Sequence, residues 1–469
     1  MNERFEQIAD FIHSRATKVR GFYEDLTTSL WFRPLFWMLG LGLLAIILIT
    51  LDRTSAGDAA RDFLPDILLG DTDSVRTMLG AIAGAMLTVT SLSFTMMMST
   101  VVQTANAYTP RLLRQYIGDP NNQNVLGVLI GTFLYTLLVL YSIRGGDTMF
   151  VPLIASNVAV ILAIASTIAF VYFLNYAATS IKVGNIISLI VSTTHQVIER
   201  QFEAELGEPW EDEQPYNTPD DDPHVIHAYE TGYIQIYNLT ELFEEAAERD
   251  LTIEIVSLVG DFVLKGVPLM RVWPAKKVDD DLLDLANGSY VVNRERTESQ
   301  DIRFGFRQLS DIALRALSPG INDPSTAINA IHSLAAMLSY VISNRPISHV
   351  RCDESGTPRI ILPAQTFRAL VDEAFVQLRH YGKEDFLVVS NLIEMCGQVA
   401  HSAEQPKHKD VLWQFIVTTM QEVDEVIVSP AERERINDAL HYAGHQFSRD
   451  TTPYALALES EIQLPPSLH

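Results

Sequence analysis

Residues 77–102 read TMLGAIAGAMLTVTSLSFTMMMSTVV, and no charged side chain occurs between Arg76 and Arg111. About 20 consecutive, mostly apolar residues are enough for a helix to cross the hydrocarbon core of a bilayer. This stretch therefore reads as a membrane span, and its composition is unusual. Gly80, Gly84, Thr88, Ser91, Thr95, Ser99, Gln103 and Asn106 follow one another at steps of three and four. At 100° per residue they fall within about 140° of arc, forming one continuous small and polar seam.

Three more segments qualify as spans on either side: Pro34 to Leu51, Val125 to Ile143, and Phe150 to about Leu174. None of the four contains Asp, Glu, Lys, Arg or His. A proton relay, a voltage sensor or an ion-pumping carboxylate would need such a residue inside the membrane. A conduction path would have to be made of hydroxyls, amides and backbone. The third span opens with Gly127 and Gly131, a G-x-x-x-G spacing suited to close helix packing. For the seam of the second span two readings stand. Small residues let backbones approach and hydroxyls bond across a helix interface, or the same seam from several subunits lines a water-filled path. Met96, Met97 and Met98 point in different directions around the helix and read as packing rather than as metal ligands.

Basic residues near the spans set the expected orientation. Arg4, Arg15, Lys18, Arg20 and Arg33 precede the first span, and Arg111 and Arg114 lie between the second and third. The loop after the first span is instead rich in aspartate. Both termini are therefore expected in the cytoplasm. No apolar core of a signal peptide occurs in MNERFEQIADFIHSR at the start of the chain.

The chain beyond residue 182 is different in character. It carries 45 Asp and Glu against 22 Lys and Arg, which is nearly all of the net charge of −24. Such a surface repels phosphate backbones, so nucleic acid is not an expected partner. It is either a solvated, self-repelling surface or an acidic funnel that concentrates cations. The two cysteines, Cys352 and Cys396, are too few for a disulfide framework or a multi-cysteine zinc site.

The expected organisation is an N-terminal amphipathic helix over 1–30, a transmembrane domain over 31–182, and a connecting helix with an acidic linker over 183–223. A small α+β subdomain over 224–278 and a mainly α cytoplasmic domain over 279–469 follow. Within the subdomain, Gly232–Tyr237 alternates as a strand, Asn238 and Glu241 have capping-box spacing before a helix, and Leu251–Leu258 returns as a strand. Gly260–Leu269 (GDFVLKGVPL) resembles the hairpins of barrel-sandwich modules, but Lys265 lacks the Asp-Lys turn of a lipoyl or biotin carrier. In the helical domain, Ser318–Pro324 separates two strong helices, with Asp323 placed to cap the second. A helix N-terminus beside arginines can hold an anion, which makes Arg303, Arg307, Asn322 and Asp323 candidate ligand residues; a capped structural turn explains them equally. A hairpin is expected at His349–Leu362, followed by helices beginning near Ala364, Lys409 and Pro430. Asp438, His441 and His445 share a helix face, and His224 and His227 lie beside acidic residues, but no metal, cofactor or catalytic constellation is assigned.

The runs Tyr108–Arg114, Leu126–Gly127 and Gly131–Tyr135, with Asp301–Leu309 and Ala316–Pro324, resemble a bacterial predicted-membrane-protein family known as domain of unknown function 2254. The resemblance covers roughly Trp31 to Phe447. It implies a bacterial inner-membrane protein and brings no activity, cofactor or catalytic residue. The expectation is a homo-oligomeric, channel-like or transport-related protein that is not an enzyme. The alternative is a non-conducting sensor or scaffold whose cytoplasmic domain binds partners.

Overall fold

The computed structural model describes residues 29–54, 71–107, 117–144, 150–180, 182–203, 206–210, 216, 218–343, 349–363 and 365–458. The expected N-terminal helix and the Tyr108–Arg114 motif lie outside the described residues, apart from Ser29 and Leu30. The chain divides into two compact units, one over 22–185 and the other from Ile186 onward.

The first unit contains α1 (Phe32–Leu51), α2 (Thr72–Ala107), α3 (Pro120–Ser142) and α4 (Leu153–Ser180). All four are long and apolar enough to cross a membrane, and so is one helix of the second unit, Pro324–Ser343. α2 has 36 residues, so it is about 54 Å long and exceeds a hydrocarbon core of about 30 Å. Its ends must stand outside the hydrocarbon or the helix must tilt.

Two aspartates fasten α4 at its ends. Asp52, just past α1, is only 3% exposed and accepts the backbone N–H groups of Ile154 and Ala155, both at 3.0 Å. Those donors are in the first turn of α4, where N–H groups lack helical partners and favour negative charge. Asp119 caps α3 by accepting from Asn121 N–H at 2.7 Å, and it also accepts the hydroxyl of Tyr176 near the end of α4. Arg53 lies over the ring of Phe150 at 4.9 Å.

The amphipathic α5 (Val183–Glu203) belongs to the second unit from Ile186 onward, and its Ile186, Ile187, Ile190, Thr194, Val197 and Ile198 are buried. Gly305 provides the notch for α5, because a Cβ there would sit 1.9 Å from the Thr194 hydroxyl. The His195 ring stacks on Tyr340 at 4.3 Å, and Tyr340 donates to Glu199 at 3.0 Å.

Among the described residues, nine short strands form two sheets. They are β1 (Glu208–Pro209), β2 (His224–His227), β3 (Gly232–Tyr237), β4 (Thr252–Ile255), β5 (Phe262–Val263), β6 (Pro268–Trp273), β7 (Tyr290–Asn293), β8 (Val350–Cys352) and β9 (Pro358–Ile361). One sheet has the order β1-β8-β9-β4-β6-β2 and the other β5-β3-β7. The hairpin β8–β9 is antiparallel, and β9 runs parallel to β4. The six-stranded sheet thus crosses the boundary expected at residue 279.

Two local readings are corrected. Gly260–Leu269 is not a hairpin: β5 pairs with β3, whereas β6 pairs with β2 and β4 in the other sheet. Gly260 and Gly266, at φ +87° and +89°, bend the segment, and their N–H groups bond to Ile234 and Ala228 carbonyls instead of to each other. The capping box at Asn238 is not formed either. Its side chain makes no cap bond, and its N–H continues the sheet by donating to Ser289 at 2.7 Å.

The helices of this unit are α6 (Leu239–Glu248), α7 (Asp280–Gly288), α8 (Ile302–Ala316), α9 (Pro324–Ser343), α10 (Phe367–Val371), α11 (Gln377–Gly382), α12 (Phe386–His401), α13 (Pro406–Asp424) and α14 (Pro430–Phe447). A π turn, Asp372–Val376, joins α10 to α11. The helix expected from Ala364 starts at Phe367, and a separate α12 follows that the sequence reading omitted. Asp385 caps α12 through the N–H groups of Leu387 and Val388.

An ion network pins β9 to the turn before β4. Arg359 donates to Asp353 at 2.7 Å and to Asp250 at 2.8 Å. Hydrogen bonds from Ser355, with Arg359 beside it, hold the Asp353 carboxyl well below the usual range. Arg359 and Lys277 lower Asp250 likewise. A carboxylate depressed in the folded state stabilises fully above its unfolded value, about 4, and loses that contribution as pH falls through the folded value. The full-length protein is therefore expected to lose thermal stability progressively on acidification below about pH 4. Arg359→Met flattens that decline in an unfolding series against pH. An undiminished decline in Arg359→Met would remove the network from the account.

Candidate functional site: the outer face of the second helix

α2 has two faces of different character. Val75, Leu79, Ala83, Met86, Met97 and Val101 are buried within the unit. Gly80, Gly84, Thr88, Ser91, Thr95, Ser99 and Gln103 are all exposed. Among the described residues, the small and polar seam is therefore not the main surface by which α2 packs against its own chain. A Cβ added at Gly80 or Gly84 would meet nothing within 4 Å. The side chain of Asn106 lies outside the described residues.

Hydrogen bonding sets what this face offers. Thr88 donates to the Gly84 carbonyl at 3.0 Å and Thr95 to that of Ser91 at 2.9 Å. Gln103 Nε2 donates to Ser99 Oγ at 3.1 Å. A hydroxyl has one donor and two acceptor lone pairs. With these donors turned along the helix, the outward-facing atoms of Thr88 and Thr95 are oxygen acceptors and methyl groups. A groove of about 510 Å³ is lined by Ser91 and Thr95 of the seam together with Met38, Phe94 and Ile130.

Gly127 and Gly131 are placed differently. A Cβ at Gly127 would lie 2.5 Å from the Trp37 ring, and one at Gly131 would lie 2.8 Å from Leu41. These glycines admit α1 against α3 within one chain. Trp37 also donates from Nε1 to Asn124 at 3.2 Å.

The candidate residues of the second unit are not gathered into one site. Arg303 donates to Asp261 at 2.6 Å and to the Val259 carbonyl at 3.1 Å. Arg307 pairs with Asp311 at 3.1 Å and Glu373 at 3.6 Å. Asn322 has φ +50° in the turn, and Asp323 caps α9 through Thr326 N–H at 3.1 Å and its hydroxyl at 2.6 Å. Those bonds hold the Asp323 carboxyl below its usual range. Asp301, which caps α8, behaves oppositely: burial raises it, with Arg296 opposing. His441 and His445 meet edge to face at 4.8 Å. Sequence reading missed the tertiary bonds of Asp52 to the start of α4 and of Asp119 to Tyr176. The one local signal was Asp119 directly before Pro120 at the head of an apolar run, an N-cap pattern.

Comparison with known proteins gives a family. The profile of the family described as "Predicted membrane protein (DUF2254)" matches residues 27–398. The chain belongs to this family. Similar proteins include uncharacterized proteins of Mycobacterium tuberculosis and Mycobacterium bovis. Each is 27% identical over 449 residues, covering 94% of this chain and 84% of the relative. No solved structure matches the chain.

Proposed function

We propose that this member of the family is a bacterial inner-membrane protein that assembles from several copies and conducts small cations past the outer face of α2. The observation that carries the reading is the exposure of Gly80, Gly84, Thr88, Ser91, Thr95, Ser99 and Gln103 in a single chain. Polar groups in a membrane face protein or water rather than lipid, and apart from the groove that Ser91 and Thr95 share with Met38 and Ile130, this face is open among the described residues. A second copy, or a water-filled axis shared by several, satisfies it.

The cation preference rests on chemistry. The Thr88 and Thr95 hydroxyls donate to their own helix and leave lone pairs outward, as a cation path requires. The strongly acidic portion beyond residue 182 then serves as a vestibule that raises the local cation concentration. It regulates conduction and performs no catalysis. Both termini are cytoplasmic in this reading, and the membrane is spanned four times, by α1 to α4. For α9, the fifth apolar helix, a soluble role is supported by its polar contacts. His332 pairs with Asn391 at 3.0 Å and Ser339 with Ser402 at 2.6 Å, both within the second unit.

The test is ion flux in liposomes combined with native mass spectrometry. Thr95→Phe and Ser99→Phe are expected to reduce cation flux to background while subunit number is retained. If the variants instead fall to monomers, the seam is packing, and the sensor or scaffold reading replaces the channel. If wild-type protein passes no ion under any gradient, conduction is refuted directly.

A further inference from the structure

The interior of the first unit holds a second row of polar side chains, on the opposite side of α2 from the exposed seam. Ser93, Thr100 and Thr104 are buried there at steps of seven and four. α3 adds Thr132 and Thr136, and α4 adds Ser156 and Ser166, all buried. Cross-helix bonds order these groups by depth. At one end Asp52 holds the start of α4, and Tyr135 donates to the Ala155 carbonyl at 2.8 Å. In the middle Ser166 donates to Thr132 Oγ1 at 2.9 Å. At the other end Tyr176 donates to Asp119.

α2 fits the same ladder. Leu79 packs in the cluster containing Tyr135 and Ala155, and Met97 in the one containing Leu126 and Phe173. Ser93 lies between these levels, and Thr104 lies beyond Met97 toward Asp119. Buried polar side chains therefore occur at every level from Asp52 to Asp119.

Three of these hydroxyls have no hydrogen-bond partner among the described residues: Ser93, Thr104 and Ser156, each at most 2% exposed. Helical Ser and Thr normally bond back to the carbonyl four residues earlier. Thr90, Thr100 and Thr136 do so here at 2.7, 2.9 and 2.8 Å. Ser93, Thr104 and Ser156 do not. A buried hydroxyl without a partner is costly, and buried polar groups are satisfied by protein or by ordered water.

We propose that the helix bundle of a single chain binds ordered water along this column, at Ser156, Ser93 and Thr104. The ligand is water rather than an ion, because Ser93, Thr104 and Ser156 stand singly at separate levels of the bundle, and one unpaired hydroxyl can bond a water but does not replace an ion's hydration shell. This hydrated core is separate from the α2 outer face and exists whether or not copies of the chain assemble.

The test uses the full chain in lipid nanodiscs. If water satisfies the three hydroxyls, Ser93→Ala, Thr104→Val and Ser156→Ala each lower the thermal unfolding midpoint. If the hydroxyls are dry, removing them relieves an unpaired group, and the midpoints rise or stay unchanged, which overturns the proposal. Hydroxyl-radical footprinting of the wild-type protein decides independently of any variant's folding. Tyr135 is fully buried and bonds to the residue before Ser156, so bound water predicts its rapid oxidation. An unmodified Tyr135 beside oxidised surface tyrosines contradicts the hydrated core. Neither readout depends on ion flux, so this inference and the channel reading fail separately.

Discussion

Gly127→Val is expected to remove folded protein from the membrane fraction, whereas Gly84→Val leaves each chain folded. Both glycines belong to small-x-x-x-small spacings, and nothing local in the sequence separates them. Their surroundings do. At Gly127 the added Cβ would lie 2.5 Å from Trp37 Cδ1 and 2.9 Å from its Cγ, a contact no rotamer of valine avoids without moving α1. Trp37 is held in place by its bond to Asn124, so the helices must separate. Overpacking of this kind costs about 3 kcal/mol or more when the neighbour cannot give way. At Gly84 no heavy atom lies within 4 Å, and the intrachain cost is expected to stay within about 0.5 kcal/mol. Unfolding in a detergent titration measures the first effect. The second variant has its effect elsewhere: it should weaken association between chains, read by native mass spectrometry. Equal intrachain destabilisation by both variants would contradict the assignment of the two faces.

The second large effect is expected at Asp52. Its carboxylate accepts two backbone N–H groups at the start of α4, with both bonds at 3.0 Å and almost no solvent access. Asp52→Ala leaves both donors without their acceptor at a helix N-terminus, a loss of about 2 kcal/mol for a well-formed, charge-assisted cap. Asp52→Asn keeps one acceptor oxygen, so it should lose roughly half as much. Asp73 is the control. Its side chain is 91% exposed and its oxygen lies 4.0 Å from Arg76, so Asp73→Ala should change stability by less than about 0.5 kcal/mol. Thermal unfolding of the three variants in one detergent ranks them. An Asp52→Ala variant as stable as Asp73→Ala would show that the cap contributes nothing.

Much of the first unit was legible because a bilayer imposes a simple rule on sequence. An apolar run long enough to cross it must be helical, since hydrocarbon offers backbone groups no other partner. α1 to α4 follow directly, with ends displaced by a few residues. The seam of α2 was legible as a periodicity, but which way it faces was not. Its steps of three and four fix one side of a helix, and only the packing of Leu79, Met86 and Met97 inward places that side outside. The cap made by Asp52 joins residues about one hundred positions apart, and as a loop charge Asp52 resembled its neighbours.

The second unit was harder to read for the same physical reason. Asp323 could be placed as a cap because capping is local, and the structure has it bonding to Thr326. Asn238 has the same local pattern, yet the strand pairing of β3 with β7 takes its N–H instead. β5 and β6 look like a hairpin from spacing alone, and pairing with β3, β2 and β4 draws them into separate sheets. β9 finds β4 across roughly one hundred residues. Strand partners of that kind have no signature in the short segments that adopt them.

Disulfide scanning in membranes asks whether the outer face of α2 meets its own copies. Cys352 and Cys396 are both buried and are replaced to give a cysteine-free background. Single cysteines then substitute Gly84, Ser91 and Thr95 on α2, and Ile164 and Ile168 on the exposed surface of α4. If copies meet through α2, interchain disulfides form at the α2 positions under mild oxidation and none form at the α4 positions. Monomers at all five positions, or cross-links only through α4, would contradict a contact through α2.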